Sequence, residues 1–400
     1  MKIIDIAEFY AREGGGVRTY IHQKMEAARA AGHELTIIAP GPETRLEETE
    51  HGRIWWARAF QLPMDKRYFL FTKSADVHQI LGEEKPDVIE ASSTWRGAWI
   101  AARWPGKAVR SLILHQEPVS VYPHTLFGNL VNEQRIDAMF SLFWSYLRQL
   151  SRRFDTSVVS GDWLANRFAS FGMQRPAVIP FGIIKQDFSP SLRDEGLRAS
   201  LLQAMDLDPN RARLLVNVSR HHPEKRLRTV FSAVQKANAQ HPTGVLQIGA
   251  GPFGKHVKRW AKGAANINLA GFIQDRAYLA RVLASADAMI HGGAAETYGL
   301  VMAEGLCSGL PLITPDAGGA FDMAGPGYSE VYRTGDAPAA AQAIERLFSR
   351  DQSKLRSNAA QAAEHKISGH EDHFAKLFAH YQDLLTATSY SEGNAAVVPA

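Results

Sequence analysis

The chain has 400 residues, 45% hydrophobic and 22% charged, a composition that excludes a disordered chain and fits two or three globular domains. Lys and Arg number 45 against 41 Asp and Glu, a net charge of +4, which suits anionic small ligands or an anionic surface and is too small to argue for nucleic acid. Cys307 is the lone cysteine, so an internal disulfide and a cysteine-cluster metal site are excluded.

The chain opens MKIIDIAEF and enters a strand directly, with no small-residue cleavage site behind an apolar run. No stretch reaches the eighteen or so apolar residues of a membrane span. The expectation is a cytoplasmic protein able to rest on the inner face of the cell membrane. Strands are expected at 2–6, 35–39, 53–59, 87–91, 109–114, 156–160 and 177–180. Helical patterns lie between several of them, including one at 17–31 that stops at Gly32. A second series begins near Arg213, with strands at 214–218, 244–248, 267–270, 287–291 and 312–314. Its helices fall at 225–239, 275–285 and 300–308, the last closed by Gly309. Two βα series of similar size predict two doubly wound α/β domains. The segment FGIIKQDFSP at 181–190 carries the Gly and Pro of a linker. A final helix is expected at 372–385, with Phe374, Leu377, Phe378, Tyr381, Leu384 and Leu385 on one face. The tail after Ser389 is rich in Ala, Gly and Ser and reads as frayed.

Three segments and one histidine carry candidate chemistry. Gly14, Gly15 and Gly16 precede the first long helix, where free N–H groups at the positive end of the helix dipole suit a phosphate. A flexible turn explains the triplet equally well. It is not a dinucleotide fingerprint, because the third glycine is missing and no acidic residue closes the strand near Ala39. In SRHHPEKR, at 219–226, Arg220 and Lys225 flank a strand-to-helix turn and can clamp linked phosphates from two directions. Basic groups at a helix start oppose the dipole, and a bound anion relieves that cost. In ETYGLVMAEG, at 296–305, Glu296 falls in a loop and Glu304 in the following helix. Taken alone, this segment reads as an acidic helix start. With N–H groups at Tyr298, Gly299 and Leu300, it can bind sugar hydroxyls. His115 ends a strand, where a structural histidine is as good a reading as a functional one. His221 and His222 lack a third ligand at metal spacing, and Asp206 to Asp208 reads as a turn.

Taken together, SRHHPEKRL, QIGAGP, NINLAGFIQD and SADAMIHGGAAETYGLVMAEGLCSGLPLITPDAGG resemble, in order, the retaining glycosyltransferases of family 4, which have the GT-B fold. The resemblance implies two Rossmann-like domains facing across a cleft. It places an acceptor-binding domain at 1–185, a nucleotide-sugar domain at 186–365, helices crossing back at 366–388 and a flexible tail at 389–400. It implies a nucleotide-sugar donor, UDP-sugar before GDP-mannose, with no cofactor and no metal. Carried over by position, Arg220 and Lys225 bind the pyrophosphate, Glu296 the transferred sugar and Glu304 the ribose. Gly15 and Gly16 approach the distal phosphate, His115 approaches the sugar from the acceptor side, and backbone near Phe272 and Ile273 meets the base. Three positions depart from the family pattern. Tyr298 stands where Phe is usual, Asp322 lies two residues beyond the usual Glu, and Ile184 replaces an Asp. A sugar-nucleotide epimerase, a phosphorylase with a lysine-bound pyridoxal group and a non-catalytic scaffold share the architecture and are the rival readings.

The acceptor is read from 115–155. Ile136, Met139, Phe140, Phe143, Leu147, Leu150 and Phe154 form one helical stripe that a core explains. Leu142, Trp144 and Tyr146 fall off it, Phe127 precedes it, and Arg148, Arg152 and Arg153 follow. Aromatics beside arginines compose a surface that rests on an anionic bilayer, although packing against loops is an alternative. The segment resembles its counterpart in lipid-modifying members of the family. The expectation is a membrane lipid acceptor contacted through Phe127, Trp144, Tyr146, Arg148 and Arg152, with a soluble or polysaccharide acceptor as the alternative.

Overall fold

The structure, a computed structural model, describes residues 1–11, 16–63, 66, 68–127 and 131–395. The first half forms one sheet ordered Arg45–Glu48, Arg53–Gln61, Glu34–Gly41, Lys2–Ile6, Val88–Ala91, Val109–Ile113, Thr156–Val159 and Ala177–Val178. Every neighbouring pair from Arg53–Gln61 to Ala177–Val178 is parallel. Arg45–Glu48 and the short Phe69–Phe71 add to Arg53–Gln61 antiparallel. The second half forms a six-stranded parallel sheet ordered Ile267–Gly271, Thr243–Ile248, Arg213–Val218, Ala288–Ile290, Leu312–Pro315 and Ser329–Tyr332. Both sheets carry helices on both faces, so their central strands are buried along nearly their whole length, as in Lys2–Ile6 and Thr243–Ile248.

Each sheet has a core on either side. In the second domain Leu214, Val216, Met302 and Leu306 pack on one face and Leu215, Val230, Ile290 and Ile344 on the other. Two connections join the domains. Gly182–Ile183 pairs in parallel with Ser368–Gly369, which places the outgoing and returning chains side by side. The returning helix, His370–Ala395, then buries Phe374, Leu377, Phe378 and Tyr381 in the core of the first domain. This helix extends well past the expected 385, into the segment read as a tail.

The acceptor stripe is the main correction. One helix was expected, and two occur, Glu133–Met139 and Ser141–Ser151, broken at Phe140. The break changes the phase. Ile136, Trp144, Leu147 and Leu150 are buried, while Met139 is 75% and Leu142 85% exposed. Trp144 lies in the core, its ring stacked on Phe171 at 3.8 Å, and is not a surface residue. Tyr146 is half-buried and donates to the Thr94 carbonyl at 2.6 Å. Arg148 donates to the Phe171 carbonyl at 2.9 Å. These three hold the helix to its domain. Phe127 and Arg152 remain exposed.

Candidate active site

In the second sheet the chain runs outward from Arg213–Val218 through Thr243–Ile248 to Ile267–Gly271, then returns to Ala288–Ile290 on the other side of Arg213–Val218. Such a switch point opens a crevice at the carboxyl ends of the two strands, where open α/β sheets bind ligands. Two loops enter it, 219–226 and 291–299.

The first loop carries Arg220, 75% exposed at its side chain, and Lys225, which is largely buried. Between them sits Glu224, whose Oε1 is 3.5 Å from the Arg220 guanidinium and 3.6 Å from the Lys225 ammonium. The second loop carries Glu296. Its Oε2 lies 2.5 Å from Lys225 Nζ and 3.6 Å from His291 Nε2. Burial alone raises a carboxyl group, but Lys225 first and His291 second overcome it and hold Glu296 well below the usual carboxylate range. The Glu296 loop is fixed from below. Gly319 N–H donates to the Glu296 carbonyl at 2.6 Å, and a Cβ on Gly319 would stand 2.6 Å from the Tyr298 nitrogen. Only glycine permits that approach.

Gly299 turns the chain with φ of 92° and caps the helix Leu300–Cys307. The N–H groups of Met302 and Ala303 return to the Gly299 carbonyl, while the first helical N–H groups have no acceptor within the helix and point into the crevice end. Tyr298 is buried against the domain linker, 5.8 Å from Phe181, and its hydroxyl has no hydrogen-bond partner. Leu300 is half-exposed. One turn along the helix, Glu304 is buried. Burial pushes its carboxyl above the usual range, and Arg276, bonded to Oε1 at 2.9 Å, offsets part of this. Beyond Gly271, Phe272 is 71% exposed and Ile273 packs partly into the core.

The first domain supplies the opposite wall. His115 follows the strand Val109–Ile113 and stacks on Phe181 at 6.1 Å, with Tyr20 edge-on at 5.8 Å. Burial, with Lys24 acting in the same direction, lowers its pKa to about 4, so it is a neutral imidazole at physiological pH. Gly15 lies outside the described residues, and Gly16 starts the helix Gly16–Ala30.

Arg220, Lys225, Glu296, Tyr298, Gly299, Leu300 and Glu304 thus border one crevice. Sequence reasoning passed over His291, Arg276 and the bridge between domains. His291 ends a strand at the switch point, the same signal that singled out His115. The bridge pairs Ser160 Oγ with the Thr297 carbonyl at 3.1 Å and the Trp163 N–H with Asp322 Oδ2 at 2.8 Å. Asp322, which departs from the family position, therefore caps a helix of the other domain, Asp162–Ser170. Among the described residues no cluster of three His, Cys, Asp or Glu could hold a metal ion.

Two facing Rossmann-like domains, with a basic and acidic crevice at the second domain's switch point, define a GT-B nucleotide-sugar glycosyltransferase. Residues 14–186 match Glycosyltransferase Family 4 and residues 212–350 match Glycosyl transferases group 1, and the chain belongs to this family of glycosyltransferase enzymes. It is similar, at 26% identity over 84% of this chain and 87% of the relative, to a GDP-mannose-dependent alpha-(1-6)-phosphatidylinositol dimannoside mannosyltransferase of Mycobacterium tuberculosis. A GDP-mannose-dependent alpha-mannosyltransferase of Corynebacterium glutamicum is 23% identical over 82% of this chain and 75% of its own length. Among solved structures, a sucrose-phosphate synthase from Thermosynechococcus elongatus superposes with a TM-score of 0.72 at 18% identity, covering 97% of this chain and all of the other. The Anabaena protein HepE in complex with UDP gives 0.70 at 16% identity, covering 96% of this chain and all of the other.

Proposed function

We propose that the protein transfers mannose from GDP-mannose, with retention of configuration, to a hydroxyl of a phosphoinositide-type glycolipid at a membrane surface. The donor half of this reading follows the mannosyltransferase relatives and replaces the UDP-sugar preferred from the sequence. Arg220, Lys225 and the N–H groups at the start of Leu300–Cys307 take the diphosphate and stabilise the charge that develops as the sugar–phosphate bond breaks. Glu296 orients the sugar hydroxyls, and Glu304 with Arg276 meets the ribose. Glu296 is assigned to the sugar hydroxyls and not to the anomeric carbon. The acceptor therefore attacks from the leaving-group face, and a phosphate oxygen takes its proton.

One observation carries the acceptor half. Tyr122, Phe127, Met139 and Leu142 are each at least half exposed, on neighbouring short helices, and Thr125–Phe127 lies against the donor loop Pro223–Lys225. Arg135, Arg152 and Arg153 are exposed in the same segment. Apolar side chains beside arginines at the mouth of a sugar-transfer crevice suit an anionic bilayer that presents the acceptor. No described helix is long and apolar enough to cross a membrane, so contact through this edge is peripheral.

The test incubates the protein with radiolabelled GDP-mannose or UDP-glucose and vesicles of phosphatidylinositol or phosphatidylcholine. Label from GDP-mannose entering the organic phase with phosphatidylinositol vesicles is expected. Use of UDP-glucose alone overturns the donor. Equal transfer to a water-soluble mannoside without vesicle binding overturns the lipid.

A further inference from the structure

Glu296 must keep a partner when the donor binds. Its Oε2 and Lys225 Nζ are 2.5 Å apart, so the ammonium that the diphosphate needs is engaged by the carboxylate. A diphosphate in the crevice draws Lys225 toward its own oxygens. A largely enclosed carboxylate that loses its cation is costly. Among the described residues, the groups of opposite charge type within 4 Å of Glu296 are Lys225 and His291.

His291 is built for the second role. Its backbone is fixed at the carboxyl end of a central strand, its N–H donating to the Ile313 carbonyl at 2.9 Å and its carbonyl accepting from the Tyr332 hydroxyl at 2.5 Å. The side chain is 5% exposed. Its Nε2 has no hydrogen-bond partner, although it is buried. Gly293 clears the way for the ring, since a Cβ there would stand 3.0 Å from Nε2. A buried imidazole nitrogen left unpaired is costly. The 3.6 Å gap to Glu296 Oε2 is the distance that a small carboxylate movement closes.

We propose that His291 is a positioning residue that takes over Glu296 when the nucleoside diphosphate claims Lys225. Before diphosphate binds, Lys225 holds the carboxylate at hydrogen-bond distance and His291 acts on it only from 3.6 Å. With diphosphate bound, His291 Nε2–H donates to Oε2 and keeps Glu296 aimed at the sugar. No proton changes owner. The inference rests on the assignment of Lys225 to the diphosphate, and the experiment separates the two.

The first arm uses ¹⁵N-histidine-labelled protein, with the His291 signal assigned from His291→Gln. Adding GDP should move that signal, and it should not move in Glu296→Gln, which keeps the shape and removes the acceptor charge. A His291 signal that ignores GDP while other signals report binding overturns the inference. If neither GDP nor UDP perturbs any signal, the nucleotide-site reading fails, and His291 is then judged by whether Glu296→Gln alone shifts it. The second arm is kinetic. His291→Ala should lower kcat by about 10²-fold, the cost of a misplaced catalytic group, and leave nucleotide affinity nearly unchanged. His291→Gln, which retains a donor near Nε2, should recover part of the rate. Wild-type turnover in His291→Ala, or equal loss of nucleotide affinity and rate in both variants, overturns it.

Discussion

At the scale of single residues the crevice is a set of charges that partly satisfy one another. Lys225 and Glu296 are bonded at 2.5 Å, yet His222 Nδ1, His291 Nε2 and the Tyr298 hydroxyl lack hydrogen-bond partners. Buried polar atoms are usually paired, and orphans gathered at the carboxyl ends of two central strands mark a place a ligand completes. Removing one preorganised charge contact costs about 10²–10³ in rate. Lys225→Ala and Glu296→Gln should each lower kcat/KM by that factor and leave the circular dichroism spectrum unchanged. Turnover within threefold of wild type, about 0.6 kcal/mol of transition-state energy, would remove that residue from the mechanism. On the proposed reading Arg220, Lys225 and helix N–H groups meet the leaving diphosphate, so transfer should persist in excess EDTA. A loss of activity that Mg²⁺ or Mn²⁺ restores would show that a metal shares the task.

Elements were legible wherever one period dominates. The strands Lys2–Ile6, Arg213–Val218 and Thr243–Ile248 and the helix Arg276–Ser285 fall at or within a residue or two of their expected bounds. The loops at 219–226 and 291–299 stand out because they follow such strands. Among the elements that escaped, two are instructive. Arg45–Glu48 is polar and lies at the sheet edge, where no buried face imposes alternation. The Phe140 break carries no Gly or Pro, so nothing in the local sequence announces the phase change that buries Trp144. The consequence is measurable. Trp144 is 2% exposed and stacked on Phe171, so Trp144→Ala should destabilise the first domain by about 3–5 kcal/mol. Leu142→Ser, at a side chain 85% exposed, should change stability by less than about 0.5 kcal/mol while reducing flotation with anionic vesicles. Thermal melts and flotation on both variants check the pair. Reversed effects would restore Trp144 to the surface.

At the scale of the whole molecule the helix crossing back was expected from the family resemblance, whereas the residue pairs that join the domains are far apart in sequence and carry no local signal. His373, on the helix that returns to the first domain, pairs its Nδ1 with the Pro180 carbonyl at 2.8 Å and its Nε2 with the Tyr20 hydroxyl at 3.0 Å. It packs at 5.4 Å against Phe181, which also stacks on His115. Burial lowers the pKa of His373 to about 4, with Lys24, His370 and His115 acting in the same direction, and burial does the same for His115. The sign of the linkage follows. An unfolded histidine binds its proton near pH 6.5, whereas these two resist until about pH 4. Between those values the unfolded chain holds more protons, so stability falls as pH falls through this window and is fully present above it. For the buried His373 the full loss is about 3 kcal/mol. It is smaller for His115, which is partly open to solvent. His373→Gln keeps a polar side chain at the joint and removes the titration. Its melting temperature should drop by about 2–4 °C less than that of the wild type between pH 7 and pH 4.5. Parallel curves for the two proteins would show that the joint does not sense protons and that acid lability arises elsewhere in the chain.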